Sequence, residues 1–196
     1  MKHKTTCQPT IAESSRQLLF DTFINPFMSL TGSGTTVYAM AGIPGAGKST
    51  FVRQSKAMGH FPRHAFVLNP DEVMEALPEY KQTYDDQGAE VAFQHWELPT
   101  RDLSYEMLEV AIQSHLPIII DMGAARPEHY NLLCRLKEEE GYLIEMHWLD
   151  ISVATALERI KARSRFTPES MLLERKEALA HLIPQYKTLV NDFFHH

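Results

Sequence analysis

The segment "GIPGAGKST", Gly42 to Thr50, constrains this chain more than any other stretch, because it demands one particular backbone around it. It fits the pattern of a glycine, four residues and then Gly-Lys-Ser. Glycines let successive N–H groups turn inward as an anion nest, and a helix that starts at the loop adds positive potential there. Lys48 is placed to reach β- and γ-phosphates as a point charge, and the Ser49 hydroxyl to ligate Mg²⁺. The nucleotide-binding set read from this loop is Gly42, Pro44, Gly45, Ala46, Gly47, Lys48, Ser49 and Thr50. In a chain of 196 residues such a pattern arises by chance on the order of one time in a hundred. The chain is therefore expected to bind ATP or GTP together with Mg²⁺.

The surroundings of the loop agree with that expectation. "TVYAMA", Thr36 to Ala41, is short and β-favourable, and a helical pattern runs from Lys48 to about Met58. Further strands are expected at Ala65 to Leu68, Pro117 to Asp121 and Leu143 to Leu149. Helical stretches lie between them at Asp71 to Leu77, about Asp85 to Ser114, Glu128 to Glu140 and Val153 to Ala162. Strands alternating with helices predict an α/β, three-layer P-loop NTPase fold, with a mostly parallel sheet of about four or five strands covered on both faces. A last helix is expected from Pro168, with a break at Pro184, so few residues remain for a fifth strand. Upstream, a polar tail and an amphipathic helix interrupted at Pro26 precede the Gly/Ser/Thr spacer "LTGSGT". The expected organisation is an N-terminal tail and helix over residues 1–30 and a P-loop kinase domain over 31–196.

Bulk properties narrow the function further. A hydrophobic content of 44% is enough for one continuous core. A net charge of −6 argues against a nucleic-acid binder that neutralises many phosphates. No apolar run approaches the roughly 18 residues of a membrane span, and the first residues have no secretory h-region, so a soluble, cytoplasmic protein without membrane partners is expected. Cys7 and Cys134 lie far apart and read as reduced thiols. His95, His115, His129 and His147 show no metal-site spacing and read as structural or solvated, and the terminal His pair is left out of the argument. The aromatic pair in "VAFQHWEL" reads as core more readily than as a stacking platform.

Three further segments carry candidate chemistry. In "FVLNPDEVM", Asn69 suits a helix N-cap and Pro70 the first helical position, so Asp71 reads either as a first-turn acid or as a base facing a substrate. "PIIID" ends at Asp121, the form expected of a Walker B carboxylate that holds Mg²⁺, against the plainer reading of a strand ending at a turn. Met122 and Gly123 follow where motors and hydrolases often place a water-polarising Glu, which favours transfer to a bound acceptor over hydrolysis. In "ALERIKARSR", Arg159 and Arg163 share a helix face and Arg165 lies just beyond it. Mobile arginines there would close over a transferring phosphoryl group, whereas the alternative is a solvated face with Glu158 as partner. Arg126 could clamp the acceptor or a phosphate.

With those motifs in order, together with "LNPDEVMEALPEY", the sequence resembles the zeta-toxin-like branch of P-loop kinases over roughly residues 36 to 175. The resemblance implies that Asp71 is the base facing the acceptor hydroxyl, that Lys48 and Ser49 serve the donor, and that Arg159, with Arg163 or Arg165, supplies the lid. It places Asp121 where the family has a substrate-contacting acid, and Glu106 approximately where an acid on the long helix meets substrate. Members phosphorylate a UDP-amino sugar, and several have a small antitoxin that blocks the nucleotide site, so a nucleotide-sugar acceptor and an antitoxin-like protein inhibitor are implied. Ile43 stands where many members have glutamine, and Asp121 is a shorter acid than the usual glutamate. The expected function is transfer of a γ-phosphoryl group to a hydroxyl of a small-molecule acceptor. The alternatives are a nucleotide-dependent binding protein or switch with slow hydrolysis, or a polynucleotide or antibiotic kinase of the same superfamily.

Overall fold

A computed structural model describes residues 9–28, 35–161 and 169–196. Its centre is a five-stranded sheet built from β1 (Thr36–Ala41), β2 (Phe66–Leu68), β3 (Ile118–Gly123), β4 (Leu143–Trp148) and β5 (Asp192–His195). The spatial order is β2-β3-β1-β4-β5, and every neighbouring pair is parallel. The eight α-helices of the described residues are α1 (Glu13–Phe23), α2 (Lys48–Met58), α3 (Pro70–Ala76), α4 (Pro78–Gln87), α5 (Ala89–Gln113), α6 (Pro127–Glu138), α7 (Val153–Lys161) and α8 (Glu169–Leu189). This is the expected three-layer P-loop NTPase architecture.

Period-two alternation in the strands makes the sheet two-faced. Val37, Ala39 and Ala41 of β1, with Ile118 and Ile120 of β3, enter a large core that includes Met107 of α5, Leu136 of α6 and Tyr186 of α8. Met40 and Ile119, the alternate residues, meet Val52 of α2 and Phe61 in a smaller cluster on the opposite face. Strands buried on both faces have to read as continuous apolar runs, as "IIID" does. Leu19 of α1 and Ile24 just after it are buried in the large core.

Two expectations at the C-terminal end are corrected. Pro184 does not break the last helix: it lies inside α8, which continues to Leu189. An internal proline costs a helix about 3 kcal/mol, but Leu179, Ile183, Tyr186 and Leu189 around it are all buried in the large core. The few residues left after α8 do form a fifth strand, with Glu145 in register with Asp192 and Trp148 with His195. The terminal His pair belongs to that edge: His195 stacks on Trp148, and the His196 amide donates to Trp148 O at 2.9 Å. The single helical stretch expected from Asp85 to Ser114 is instead two helices that meet at Gly88.

Candidate active site: a crevice at the carboxyl ends of β1 and β3

The chain leaves β1 toward β2 and leaves β3 toward β4, on the opposite side of the sheet, so connections from two adjacent strands diverge. Divergence of that kind opens a crevice outside the carboxyl ends of the strands. The glycine loop, the start of α3 and the β3–α6 turn all begin there.

The glycine loop is held by backbone contact on three sides. The Gly42 amide donates to Gly123 O at 3.1 Å, tying the loop to the end of β3. Gly45 has φ +83°, and a Cβ there would lie 2.8 Å from Ala156 O of α7. Gly123 also has φ +83°, and a Cβ there would lie 2.8 Å from Gly42 O and 3.5 Å from the Lys48 amine. Both positions therefore require glycine for conformation and for space. Lys48, the first residue of α2, donates from Nζ to Gly42 O at 3.0 Å and to Ile43 O at 3.2 Å, inside the ring of the loop. Ser49 comes next, half-buried, while Thr50 is exposed and its hydroxyl accepts from Arg53 at 3.4 Å. The hydrophobic side chains of the loop are buried at Ile43 and Ala46, and Pro44 is half-buried. Arg159 of α7 reaches across the loop, donating to Ala46 O at 3.2 Å and Gly45 O at 3.4 Å.

The opposite rim begins with Asn69. Its side-chain oxygen accepts from the Glu72 amide at 3.3 Å, capping α3 as the sequence predicts, and Pro70 occupies the first turn. The same amide group donates from Nδ2 to Asp121 Oδ2 at 3.1 Å. One buried asparagine thus couples the helix that carries Asp71 to the buried carboxylate that ends the apolar part of β3. Glu72, which sequence reasoning passed over, shares this rim: partial burial and then the charge of Asp121 raise its carboxyl above the usual range, with Arg53 opposing. Its only signal in the sequence was an acid in a helix first turn, which has a sufficient local explanation.

The remaining candidates separate. Arg126 is the N-terminal cap residue of α6, half-buried and five residues beyond Asp121. Glu106 lies on α5 and forms an ion pair with Arg16 of α1. Arg163 and Arg165 lie outside the described residues. Trp96 is buried, donating to the Thr83 hydroxyl at 2.9 Å, so it is core. His129 is buried, not solvated, with burial and then Arg126 lowering it to about 4.

The loop geometry fits a nucleoside triphosphate: a glycine nest opens at the N-terminus of an 11-residue helix, with Lys48 within it. Among the described residues no cluster of three or more His, Cys, Asp and Glu could hold a metal by itself. Ser49 and Asp121 are the residues available to share a cation with phosphate oxygens, a usual arrangement for Mg²⁺. No described helix is long and apolar enough to cross a membrane.

Comparison with known proteins gives the same fold. A structure from the PezAT chromosomal toxin-antitoxin system of Streptococcus pneumoniae superposes with TM-score 0.65 and 14% identity, covering 94% of this chain and 77% of that one. A structure of AvrRxo1-ORF1:AvrRxo1-ORF2 with sulphate ions superposes with TM-score 0.66 and 14% identity, covering 93% of this chain. A structure of AvrRxo1-ORF1:-ORF2 with ATP does so with TM-score 0.63 and 15% identity, covering 89%. The present chain spans 62% and 59% of those two matched chains. At such identities the likeness is one of fold, and it agrees with the zeta-toxin-like resemblance carried by the motifs. No curated protein matches the chain. A family model described as an AAA domain matches residues 37–182, most of the length, and the chain belongs to that family.

Proposed function

We propose that this member of the AAA-domain family is a phosphotransferase that moves the γ-phosphoryl group of ATP or GTP to a hydroxyl of a small-molecule acceptor. The observation that carries the reading is the Asn69–Asp121 hydrogen bond of 3.1 Å, which holds the Asp71 helix against the strand whose end packs on the glycine loop. A donor loop and an acidic rim then face one crevice. In this reading Lys48 and the loop amides hold the donor phosphates, and Arg159 and the lid arginines Arg163 and Arg165 offset charge on the transferring group. Asp71 orients the acceptor hydroxyl and takes its proton as the oxygen–phosphorus bond forms; the bond to the β-phosphate oxygen breaks, and its electron pair leaves with the nucleoside diphosphate. Bound Mg²⁺, held with the help of Ser49 and Asp121, would supply charge neutralisation on the phosphate oxygens. An ordinary carboxylate titrates near about 4 and is a weak base at neutral pH, so positioning by α3 supplies most of what Asp71 contributes.

Among acceptors, a nucleotide sugar suits the zeta-toxin-like motifs. The fold of the PezAT toxin-antitoxin structure makes an antitoxin-like protein a candidate inhibitor, and the ATP-bound AvrRxo1 structure supports ATP as donor. The test is incubation with a γ-labelled nucleoside triphosphate, Mg²⁺ and a mixture of nucleotide sugars and small metabolites, read by mass spectrometry. A product heavier by one phosphoryl group, absent with Asp71→Asn, is expected. Release of phosphate alone, stimulated by a protein partner, would make the chain a nucleotide switch instead.

A further inference from the structure

The end of β3 turns through two consecutive residues with positive φ, Gly123 at +83° and Ala124 at +56°. Glycine adopts that region freely, but a residue with a Cβ stays there only where its surroundings over-determine it. The three carbonyls of the turn show what does so here. Gly123 O accepts from the Gly42 amide at 3.1 Å, Ala124 O from the Tyr186 hydroxyl of α8 at 3.0 Å, and Ala125 O from Arg175 Nη1 of the same helix at 3.5 Å. One carbonyl thus holds the glycine loop, and the next two are held from behind by α8.

Peptide planarity links these contacts. The plane that carries Gly123 O is the bond from Gly123 to Ala124, so its orientation is fixed on one side by the φ of Ala124. Relaxation of Ala124 to a negative φ would turn that plane and take Gly123 O from the Gly42 amide. It would also move the backbone at Gly123, where a Cβ would stand only 3.5 Å from the Lys48 amine. Tyr186 is suited to resist that relaxation. It is fully buried, its ring centre lies 5.4 Å from that of Tyr130 on α6, and burial holds its hydroxyl above the usual phenol range, so it stays a donor. Tyr142 offers the contrast: it is also buried, and its hydroxyl donates to Leu116 O at 3.1 Å, just before the start of β3. The two tyrosines make the same kind of bond at opposite ends of one strand, and only the Tyr186 end meets the glycine loop.

We propose that Tyr186 is a positioning residue for the donor phosphates, acting through Ala124 and Gly123 to hold the Gly42 amide and the start of the glycine loop in their binding geometry. The inference rests on the reading of the loop as the nucleotide donor site and on no feature of the acceptor. It gives α8 a part in nucleotide binding from sixty-two residues away in the chain. Without the hydroxyl, the buried Ala124 carbonyl loses its donor and the strained turn loses the contact that keeps it strained. A glycine at position 124 would make the brace dispensable for conformation, because glycine takes a positive φ without support.

The test uses the full chain and compares Tyr186→Phe, Ala124→Gly, the double variant and Tyr142→Phe. Calorimetry with a non-hydrolysable nucleoside triphosphate and Mg²⁺ reads the loop, NMR exchange of the Gly42 amide in the nucleotide-free chain reads its geometry, and urea unfolding reads stability. Tyr186→Phe, which keeps the ring and its packing, is expected to weaken nucleotide binding about tenfold and to speed Gly42 exchange by a similar factor. Tyr142→Phe should lose comparable stability and leave binding and exchange unchanged. Ala124→Gly should stay within about threefold of wild-type binding by itself and restore that range in the double variant, while the stability loss of Tyr186→Phe remains. A tyrosine with a merely structural role would move stability alone. Unchanged binding and exchange in Tyr186→Phe, an equal effect of Tyr142→Phe, or a double variant that binds no better than Tyr186→Phe overturns the proposal. A wild-type chain that binds no nucleotide would instead overturn the reading of the loop, and the exchange rates would still decide whether Tyr186 holds Gly42.

Discussion

Across the crevice, the glycine loop is one contiguous run, Gly42 to Lys48, whose partners are mostly backbone: Gly123 O, Ala156 O, and its own carbonyls gripped by Lys48 and Arg159. The opposite rim is assembled from side chains far apart in sequence, such as Asn69 with Asp121, fifty-two residues away. Backbone packing tolerates almost no change in shape, because a Cβ has nowhere to go. Side-chain assemblies tolerate changes in shape but not in charge or hydrogen-bonding capacity. The two rims are therefore expected to fail in different ways.

The largest effect is expected from steric insult to the loop. Gly45→Ala and Gly123→Ala each add a Cβ 2.8 Å from a carbonyl oxygen at φ +83°. Each should cost at least about 3 kcal/mol in urea unfolding and abolish nucleotide binding. Retention of both properties would show that the loop is not rigidly packed. The charge-side counterpart is Asp71→Asn, which preserves shape. It should lower transfer by about 10²–10⁴-fold with nucleotide affinity unchanged in calorimetry, whereas Lys48→Ala should lower affinity and turnover together. If the two variants behave alike, the division of the crevice into two rims is wrong.

A smaller effect comes from pH. His129 takes up a proton near 6.5 when unfolded and only near about 4 when folded. Between those values the unfolded chain binds more protons, so stability is lost as pH falls through this window, by about 3 kcal/mol from this group alone. Replacing His129 with Gln should flatten that part of the stability profile measured by denaturant titration at successive pH values. The smallest effect is expected at Glu106, whose partner is Arg16 on a half-exposed surface. Glu106→Ala should change stability by less than about 1 kcal/mol. A large rise in acceptor KM in that variant would instead put Glu106 in the crevice.

Much of the fold was legible because its signals are local. β1 and α2 begin and end where apolar runs, glycine and the loop motif place them, and Asn69 caps α3 as its residue type predicts. Pro184 misled because a local rule about proline was overruled by burial of the α8 face around it. β5 was hard to foresee because four residues carry little periodicity, and pairing with β4 supplies what propensity does not.

The sequence by itself determined the glycine loop, the alternation of strands and helices, and Asn69 as the cap of the helix that carries Asp71, whereas β3 runs two residues past Asp121, where a strand end was expected. These depend on neighbours in the chain and on backbone conformations that few residue types allow. Only the tertiary structure decided that Asn69 bridges to Asp121, that Glu72 shares their field, and that His129 is buried. Those relations are distances between elements separated by tens of residues. They arise when the sheet order β2-β3-β1-β4-β5 brings β3, α5, α6 and α8 together, and no local pattern encodes them.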